Sequence, residues 1–274
     1  MKSQTSLYFF CLGRMLIIGP LIENKLHRHG AIQIILSLDQ NFSIKIDNAD
    51  WRETKAVLID THIPHQLKNL QSLLVSLSIV PERTRGKNLQ KYILRGSTVQ
   101  YLDHLDFTIY KHKFQQCYDH QYTCPRAFRI VEEMIDDLTG VKGYRGPIDE
   151  RIQSVINWIQ RNLSTPISAH NLAQSVYLSE DRFLHLFKEQ LGLPLRQYIR
   201  YQRIMTATIA FIGGKSLTEA AYEAGFADSA HFTRTFVDMN GIKPSEIAKN
   251  KETFQFCFCS SYCDACNKLR SVAK

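Results

Sequence analysis

The sequence lacks the features that would mark a membrane protein, an exported disulfide scaffold or a common type of enzyme. It has no run of the roughly 18 to 20 apolar residues that a membrane-spanning helix needs. Its most apolar early stretch, Leu7–Leu21, is interrupted by Gly13 and Arg14 and lacks the flanks of a signal peptide. Seven scattered cysteines predict reduced thiols. We find neither a nucleophile–base constellation nor a phosphate-cradling glycine loop, which argues against catalysis.

Excess positive charge is also missing from the later part of the chain. The whole chain has a net charge of +8 and a pI near 9.1, which is compatible with a nucleic-acid partner. Residues 148–250, however, contain 11 Lys and Arg against 10 Asp and Glu. A nucleic-acid function therefore has to be argued from motifs and helix faces.

The first half of the chain is a series of short β-type segments. Residues 42–46 (FSIKI) alternate apolar and polar side chains, and residues 56–59 and 73–79 are short runs bounded by turn-forming residues. Leu7–Leu21 has the pattern of two more short strands around a turn. Several short strands at this spacing predict a small barrel or sandwich.

A helix and a linker follow the β-rich part. Residues 125–138 have helical spacing, with Phe128, Val131, Ile135 and Leu138 on one face. Two glycines and a proline in VKGYRGP, at residues 141–147, indicate a linker. We expect the helix to serve as a dimer contact or as a relay between the two halves.

The chain beyond the linker is predicted to be helical, and its first motif lies at about residues 168–189. Ser168 suits the N-cap of one short helix and Ser179 the N-cap of the next. The second helix directs Phe183 and Phe187 toward a core, and its opposite face is polar. Two short helices with a tight turn between them are the helix-turn-helix pattern.

The pattern recurs at about residues 216–239, after a long helix from about Pro194 to Phe211. Ser216 and Glu219 have the spacing of a capping box, and Asp228 suits the N-cap of the following helix. An 18-residue joining helix is about 27 Å long, compared with a groove repeat of roughly 34 Å. The long helix can therefore hold the two motifs at a spacing suited to adjacent grooves.

This ordered pair of motifs resembles the AraC/XylS family of bacterial transcriptional regulators. The resemblance rests on Gly225-Phe226, Asp228, Phe232, Arg234, Phe236, Gly241 and Pro244 in the second unit, and on Leu172-Ala173, Leu178-Ser179, Phe187, Gly192, Tyr198-Ile199, Arg203 and Ala207 in and after the first. Tyr177 departs from the family where a small residue often stands, and Ala248 where Arg often stands. The resemblance implies two recognition helices that enter successive major grooves.

The same resemblance assigns DNA reading to the outer face of each second helix. Arg234 suits a bidentate contact to guanine, Asp181 can accept from cytosine, and Leu184 or Ala230 can touch a thymine methyl. The predicted phosphate contacts are Ser179 and Thr233. The whole predicted set is Ser179, Asp181, Arg182, Leu184, His185, Ser229, Ala230, His231, Thr233 and Arg234. Arg203, on the joining helix, is expected to be a structural ion-pair residue.

Two histidine-containing segments in the first half resemble the halves of a cupin barrel motif. Residues 26–30 supply His27 and His29, and residues 62–69 supply His65. Gln33 stands where metal-binding cupins have Glu, which favours a pocket for a small organic effector over a metal ion. Because three histidines can hold a divalent ion, an effector site, a metal site and a structural role all stay open.

The last part of the sequence is rich in cysteine. Its four thiols can bind Zn²⁺ or Cu⁺ or react with oxidants, and they are Cys257, Cys259, Cys263 and Cys266. Their spacing is tighter than that of a zinc ribbon. We predict that residues 251–274 form a disordered appendix.

Together these patterns predict an α+β protein, with an N-terminal cupin-like β-barrel followed by an all-α domain with two helix-turn-helix motifs joined by a long helix. The predicted parts are residues 1–124 for effector sensing and dimerisation, 125–147 for the helix and linker, 148–250 for DNA binding, and 251–274 for the tail. We expect a cytoplasmic homodimer that binds promoter half-sites on double-stranded DNA, contacts RNA polymerase and requires no cofactor. The rival interpretations are a regulator that acts through protein contacts, and a metal-dependent cupin enzyme with a DNA-binding appendage.

Overall fold

The computed structural model is an α+β protein in which a β-rich region is followed by a helical region. It describes residues 5–10, 14–20, 26–68, 72–142, 148–241, 243–249 and 254–259. None of the helices in these ranges combines the length and the apolar character needed to cross a membrane.

The strands of the described residues form two sheets. They are β1 (Thr5–Phe10), β2 (Arg14–Pro20), β3 (Ile32–Ser37), β4 (Phe42–Ile46), β5 (Arg52–Thr54), β6 (Ala56–Ile59), β7 (His65–Lys68), β8 (Leu73–Ile79), β9 (Val99–Tyr101) and β10 (Phe254–Cys259). The larger sheet has the order β10-β1-β2-β8-β3-β6-β9, and the smaller has the order β5-β4-β7. All pairs are antiparallel except β1 with β10. The predicted segments at residues 42–46, 56–59 and 73–79 are confirmed as strands.

Alternation along the strands gives the larger sheet two apolar faces. In β3, Ile34 joins the core beneath the helices of this half, whereas Ile35 joins the core shared with the smaller sheet. In β4, Phe42 and Ile44 are buried in that second core. The larger sheet is therefore covered on one side by helices and on the other by the smaller sheet.

The helices complete the N-terminal half and build the rest of the chain. They are α1 (Thr84–Asn88), a π-helix (Leu89–Leu94), α2 (Thr108–Tyr118), α3 (Cys124–Thr139), α4 (Glu150–Arg161), α5 (Ala169–Ser175), α6 (Glu180–Leu191), α7 (Leu195–Ile212), α8 (Leu217–Glu223), α9 (Ser229–Asn240) and α10 (Pro244–Lys249). The helix predicted at residues 125–138 is confirmed as α3. Of the predicted linker, residues 143–147 lie outside the described residues.

Helix α3 turns its apolar face to the chain's own sheet. Val131 and Ile135, on the predicted face, are fully buried, as are Ile130 and Met134. A dimer contact through this face is therefore not available. At its polar edge, Asp136 receives two hydrogen bonds from the Arg85 guanidinium, at 2.9 and 3.1 Å, which fix α1 to α3.

The prediction of a disordered tail is wrong for Phe254–Cys259, which form β10. This strand pairs in parallel with β1 along its whole length, from Thr5 opposite Phe254 to Phe10 opposite Cys259. The segment FQFCFC has a two-residue apolar period, and Phe254 and Phe256 pack beside α7. The rest of the predicted appendix lies outside the described residues.

The cysteines do not share one chemical state. Cys117 and Cys257 carry thiols that are not in a disulfide, and burial raises the pKa of these thiols to about 12 and about 11. Cys124 is disulfide-bonded, so the prediction of reduced thiols throughout is wrong at this position. A metal site at Cys257, Cys259, Cys263 and Cys266 stays a prediction, because Cys263 and Cys266 lie outside the described residues.

The sheet and the helical region share packed surfaces. Met205 of α7 is buried with Leu7, Met15 and Ile17 of β1 and β2. Val80, just after β8, is buried in the core of the helical region. The joining helix is thus held directly by the larger sheet.

Candidate nucleic-acid interface

The first helix-turn-helix unit consists of α5 and α6, and both helices have serine caps. The Ser168 hydroxyl accepts from the backbone N–H of Asn171, and the Ser179 hydroxyl accepts from that of Arg182. The turn passes through Tyr177, which has φ of +57° and a side chain that is 97% exposed. The departure from the family at Tyr177 therefore puts a large residue where the backbone needs a positive φ.

The second unit, α8 and α9, repeats this geometry. Ser216 and Glu219 form the predicted capping box, and the Asp228 carboxylate caps α9 by accepting from the N–H of His231. The turn residue is Gly225, with φ of +81°. The N–H that follows the turn residue donates to the first helix in both units, from Leu178 to Ala173 and from Phe226 to Ala221. The two turns are therefore closed in the same way despite the different turn residues.

Each second helix is anchored by an aromatic pair one turn apart. Phe183 and Phe187 have ring centroids 5.8 Å apart, and Phe232 and Phe236 have centroids 5.9 Å apart, both in edge-to-face contact. All four rings are fully buried. Burial of these rings fixes which side of α6 and α9 is left to solvent.

The opposite faces carry the predicted DNA-reading residues. The exposed members are Ser179, Asp181, Arg182, His185, Ala230, His231 and Arg234, and the half-buried ones are Leu184, Ser229 and Thr233. Leu184 packs against the helical core. The Thr233 hydroxyl donates to the Ser229 carbonyl oxygen at 2.8 Å. Most of these side chains therefore lie outside the core, whereas the apolar side chain of Leu184 packs partly against it.

Helix α7 joins the two units, and Arg203 ties it to an earlier loop. The Arg203 guanidinium donates to the carbonyl oxygens of Leu163 at 3.1 Å and Thr165 at 3.4 Å. The structural role expected for Arg203 fits these contacts, but the partners are carbonyls rather than the carboxylate of an ion pair.

The three N-terminal histidines come together, as the cupin resemblance implies. His27, His29 and His65, here called the histidine trio, each offer a nitrogen within 4.8 Å of the others. Nδ1 of His29 donates to the Ala31 carbonyl at 3.0 Å, and Nδ1 of His65 donates to the Ile63 carbonyl at 2.8 Å. These bonds leave the Nε2 atoms of His29 and His65 as acceptors.

Burial keeps two members of the trio uncharged. Desolvation, with a smaller contribution from His27, lowers the pKa of His29 to about 4 and that of His65 to about 3. Both imidazoles are therefore neutral near pH 7, which is the form that binds metal ions.

The trio lies against the end of the second recognition helix, a contact that sequence patterns do not reveal. The backbone N–H of Gly30 donates to the Asp238 carbonyl of α9 at 2.5 Å. The edges of the His27 and His29 rings face Gly241, the C-cap of α9. A groove of about 740 Å³ beside this contact is lined by Arg28, His62, Thr233, Arg234, Val237, Asp238 and Lys243.

Replacing Gly241 with alanine is expected to destabilise the chain more than the same change at Gly140. Both glycines are helix C-caps with φ near +70°, so both variants incur about 1–2 kcal/mol of backbone strain. A Cβ at Gly241 would lie 2.6 Å from Cδ2 of His27, whereas one at Gly140 would meet nothing within 4 Å. Thermal melting of the two variants checks this, and equal melting temperatures would contradict the contact.

Comparisons with known proteins show the following similarities. A family model described as a helix-turn-helix domain matches residues 172–250. The arabinose operon regulatory protein of Salmonella typhimurium is 30% identical over 125 residues, which cover 44% of this chain and 44% of that protein. The transposon Tn10 TetD protein of Escherichia coli is 30% identical over 101 residues, which cover 36% of this chain and 73% of that protein. The solved structure of ToxT from Vibrio cholerae matches 82% of this chain and 92% of its own, with 14% identity and a TM-score of 0.46.

Two similarly closed helix-turn-helix units on a common joining helix define a double helix-turn-helix protein of the DNA-binding class. The chain belongs to the AraC/XylS family of transcriptional regulators. It spans less than half the length of the arabinose operon relative.

Proposed function

We propose that this protein is a sequence-specific DNA-binding transcriptional regulator that reads two adjacent major grooves with α6 and α9. The observation that carries the proposal is the repetition of one geometry at both helices: a capped N-terminus, a buried aromatic pair and an exposed polar face. Since side chains on the first turns of such a helix reach base edges, both exposed faces are suited to base readout.

The near-neutral charge of the helical region limits the contribution of phosphate contacts. Residues 148–250 have a balance of only one positive charge, so binding has to rely on base contacts and on local basic groups. We infer that affinity for random DNA is low and that discrimination between sequences is high.

Selection of DNA fragments from a genomic library by the purified full chain tests the proposal. We expect one recovered motif with two half-sites on one face of the duplex, separated by about one helical turn. Repeating the selection at two salt concentrations separates base readout from phosphate attraction. Recovery of only salt-sensitive, sequence-independent DNA would contradict the proposal and favour a regulator that acts through protein contacts.

Truncation of the Arg234 side chain is expected to weaken specific binding by about 1–3 kcal/mol, because it removes a bidentate contact to a base. Arg234 is exposed, so the melting temperature should not change. Fluorescence anisotropy with the selected duplex measures the effect.

The matched control for Arg234→Ala is Arg129→Ala. Arg129 is exposed on α3, so this variant removes the same charge away from both recognition helices. Equal affinities for Arg234→Ala and the wild-type chain would show that Arg234 does not read a base.

The remaining parts of the proposal concern the N-terminal half and the cellular setting. We propose that the β-rich half receives a signal and that the chain performs no catalysis, since the arabinose operon relative is a regulatory protein. A cytoplasmic location, a homodimer and contact with RNA polymerase complete the proposal. Size-exclusion chromatography with light scattering measures whether the chain is a dimer. The dimer interface has to lie outside the apolar face of α3, because that face is buried against the chain's own sheet.

A further inference from the structure

We propose that the histidine trio binds one divalent transition-metal ion, and that this ion holds the second recognition helix α9 against the N-terminal half. The first part concerns ion binding alone. The second part rests on the proposed DNA-binding function, because it predicts that the ion weakens DNA binding.

The orientation of two imidazoles supports the ion site. His29 and His65 each donate Nδ1–H to a backbone carbonyl, which is the usual outer-shell partner of a metal-bound histidine. Nε2 of His65 is buried and makes no hydrogen bond. A buried acceptor without a donor is unfavourable in a protein interior, and an ion within the trio would satisfy it.

Gln33 fixes the imidazole of His29 beside the trio. Its Oε1 lies 3.3 Å from Nε2 of His29, and its amide N–H donates to the Ser76 hydroxyl at 2.8 Å. The His29 ring is therefore held between Gln33 and the Ala31 carbonyl.

The dimensions and donor types indicate the class of ion. Nitrogen ligands around tetrahedral Zn²⁺ are roughly 3.3 Å apart, given Zn–N bonds of about 2.0–2.1 Å. The longest nitrogen–nitrogen distance in the trio therefore has to shorten by about 1–1.5 Å when the ion binds. Imidazole nitrogens prefer Zn²⁺, Ni²⁺ or Cu²⁺ over Ca²⁺ and Mg²⁺, which prefer oxygen. Zn²⁺ and Co²⁺ are therefore suitable probes.

The end of α9 closes the site from the other half of the chain. Gly241 faces the rings of His27 and His29, and the Asp238 carboxylate lies beside Gly30 and His62. The C-terminal end of a helix carries partial negative charge, so a cation at the trio attracts both this end and Asp238. Ion binding thus stabilises the contact between α9 and the N-terminal half.

That contact places residues of the N-terminal half beside one flank of α9. Arg28 and His62 of the N-terminal half line the same groove as Arg234, the predicted base-reading residue. When a helix lies in a major groove, phosphate strands lie along both of its flanks. With the N-terminal loop beside this flank, a phosphate strand has to displace the loop, so we expect α9 to leave the contact when it binds DNA.

The experiment first measures ion binding without DNA. Chelator-treated full chain is titrated with Zn²⁺ by calorimetry and with Co²⁺ by absorption, in a background carrying Cys259→Ser, Cys263→Ser and Cys266→Ser to exclude the tail thiols. We expect one ion per chain and a tetrahedral cobalt spectrum. Binding should be lost in His27→Gln and in His65→Ala and retained in the matched control His104→Gln, whose exposed histidine lies outside the trio and outside the contact with α9. Absence of an ion, or unchanged binding in folded His27→Gln, would overturn the site.

The second measurement links the ion to DNA. With the duplex recovered by selection, we expect Zn²⁺ to weaken binding by about tenfold in the wild-type chain and in His104→Gln, but not in His27→Gln. By reciprocity, the duplex should weaken Zn²⁺ binding by the same factor. An ion that binds without changing DNA affinity would overturn the coupling. Absence of specific DNA binding with and without Zn²⁺ would instead overturn the proposed function, and the first measurement would still decide the site.

Discussion

Phe236→Ala is expected to unfold the helical region, with a loss of about 3–5 kcal/mol in the free energy of unfolding. Phe236 is fully buried, and its ring packs edge-to-face on Phe232 within the core that also holds α7. Removal of the ring leaves a cavity that the surrounding helices cannot fill, because this core is built from several rigid elements. Since a domain is stable by only about 5–15 kcal/mol, this loss is a large fraction of the total.

Urea denaturation followed by circular dichroism measures this effect. The matched control is Tyr177→Ala, which also removes an aromatic ring, but from a side chain that is 97% exposed. We expect the control to change the free energy of unfolding by less than about 0.5 kcal/mol. A denaturation midpoint in Phe236→Ala equal to that of the control would refute the assignment of Phe236 to the core.

Asp136→Asn is expected to lower the free energy of unfolding by about 1.5–3 kcal/mol, because it removes one of the two carboxylates, Asp136 and Glu132, that pair with the buried Arg85 guanidinium. The Arg85 guanidinium and the Asp136 carboxylate are both buried, and they form two parallel hydrogen bonds between α1 and α3. Asparagine keeps the size of the side chain but lacks its charge. The buried Arg85 guanidinium then loses the negative charge of Asp136, which helps to offset the cost of removing the guanidinium from water.

The comparison for this variant is Glu133→Gln on the same helix. Glu133 pairs with Lys113 at 2.9 Å, and both side chains are partly exposed to solvent. Solvent screens such a pair, so the expected loss is below about 1 kcal/mol. Equal denaturation midpoints for the two variants would show that the buried pair does not stabilise the contact between α1 and α3.

Local features of the fold could be predicted well from the sequence. A helix cap is decided by residues within one turn, which is why Ser168, Ser179, Ser216 and Asp228 could be assigned from their spacing. The strand at residues 42–46 could be predicted because its alternation sets which side chains are buried. Both kinds of signal are contained within a few neighbouring residues.

Contacts between distant parts of the chain could not be predicted in this way. Pairing of β10 with β1 depends on an edge strand about 250 residues earlier, whereas the position of the segment beyond the last predicted helix indicated disorder. The position of Gly241 against His27 depends on how two separately folded surfaces meet. Leu184 lies at the border between the polar and apolar faces of α6, where helical spacing does not decide burial.

The parallel pairing of β10 with β1 has a consequence for the synthesis of the protein. β1 leaves the ribosome about 250 residues before β10, which follows the described helices of the DNA-binding region. At roughly 5–20 residues per second, β1 waits roughly 10–50 seconds for its outer neighbour. During translation its free edge can pair with other nascent chains, a known route to aggregation. We therefore expect chaperones that shield strand edges to increase the yield of the full chain.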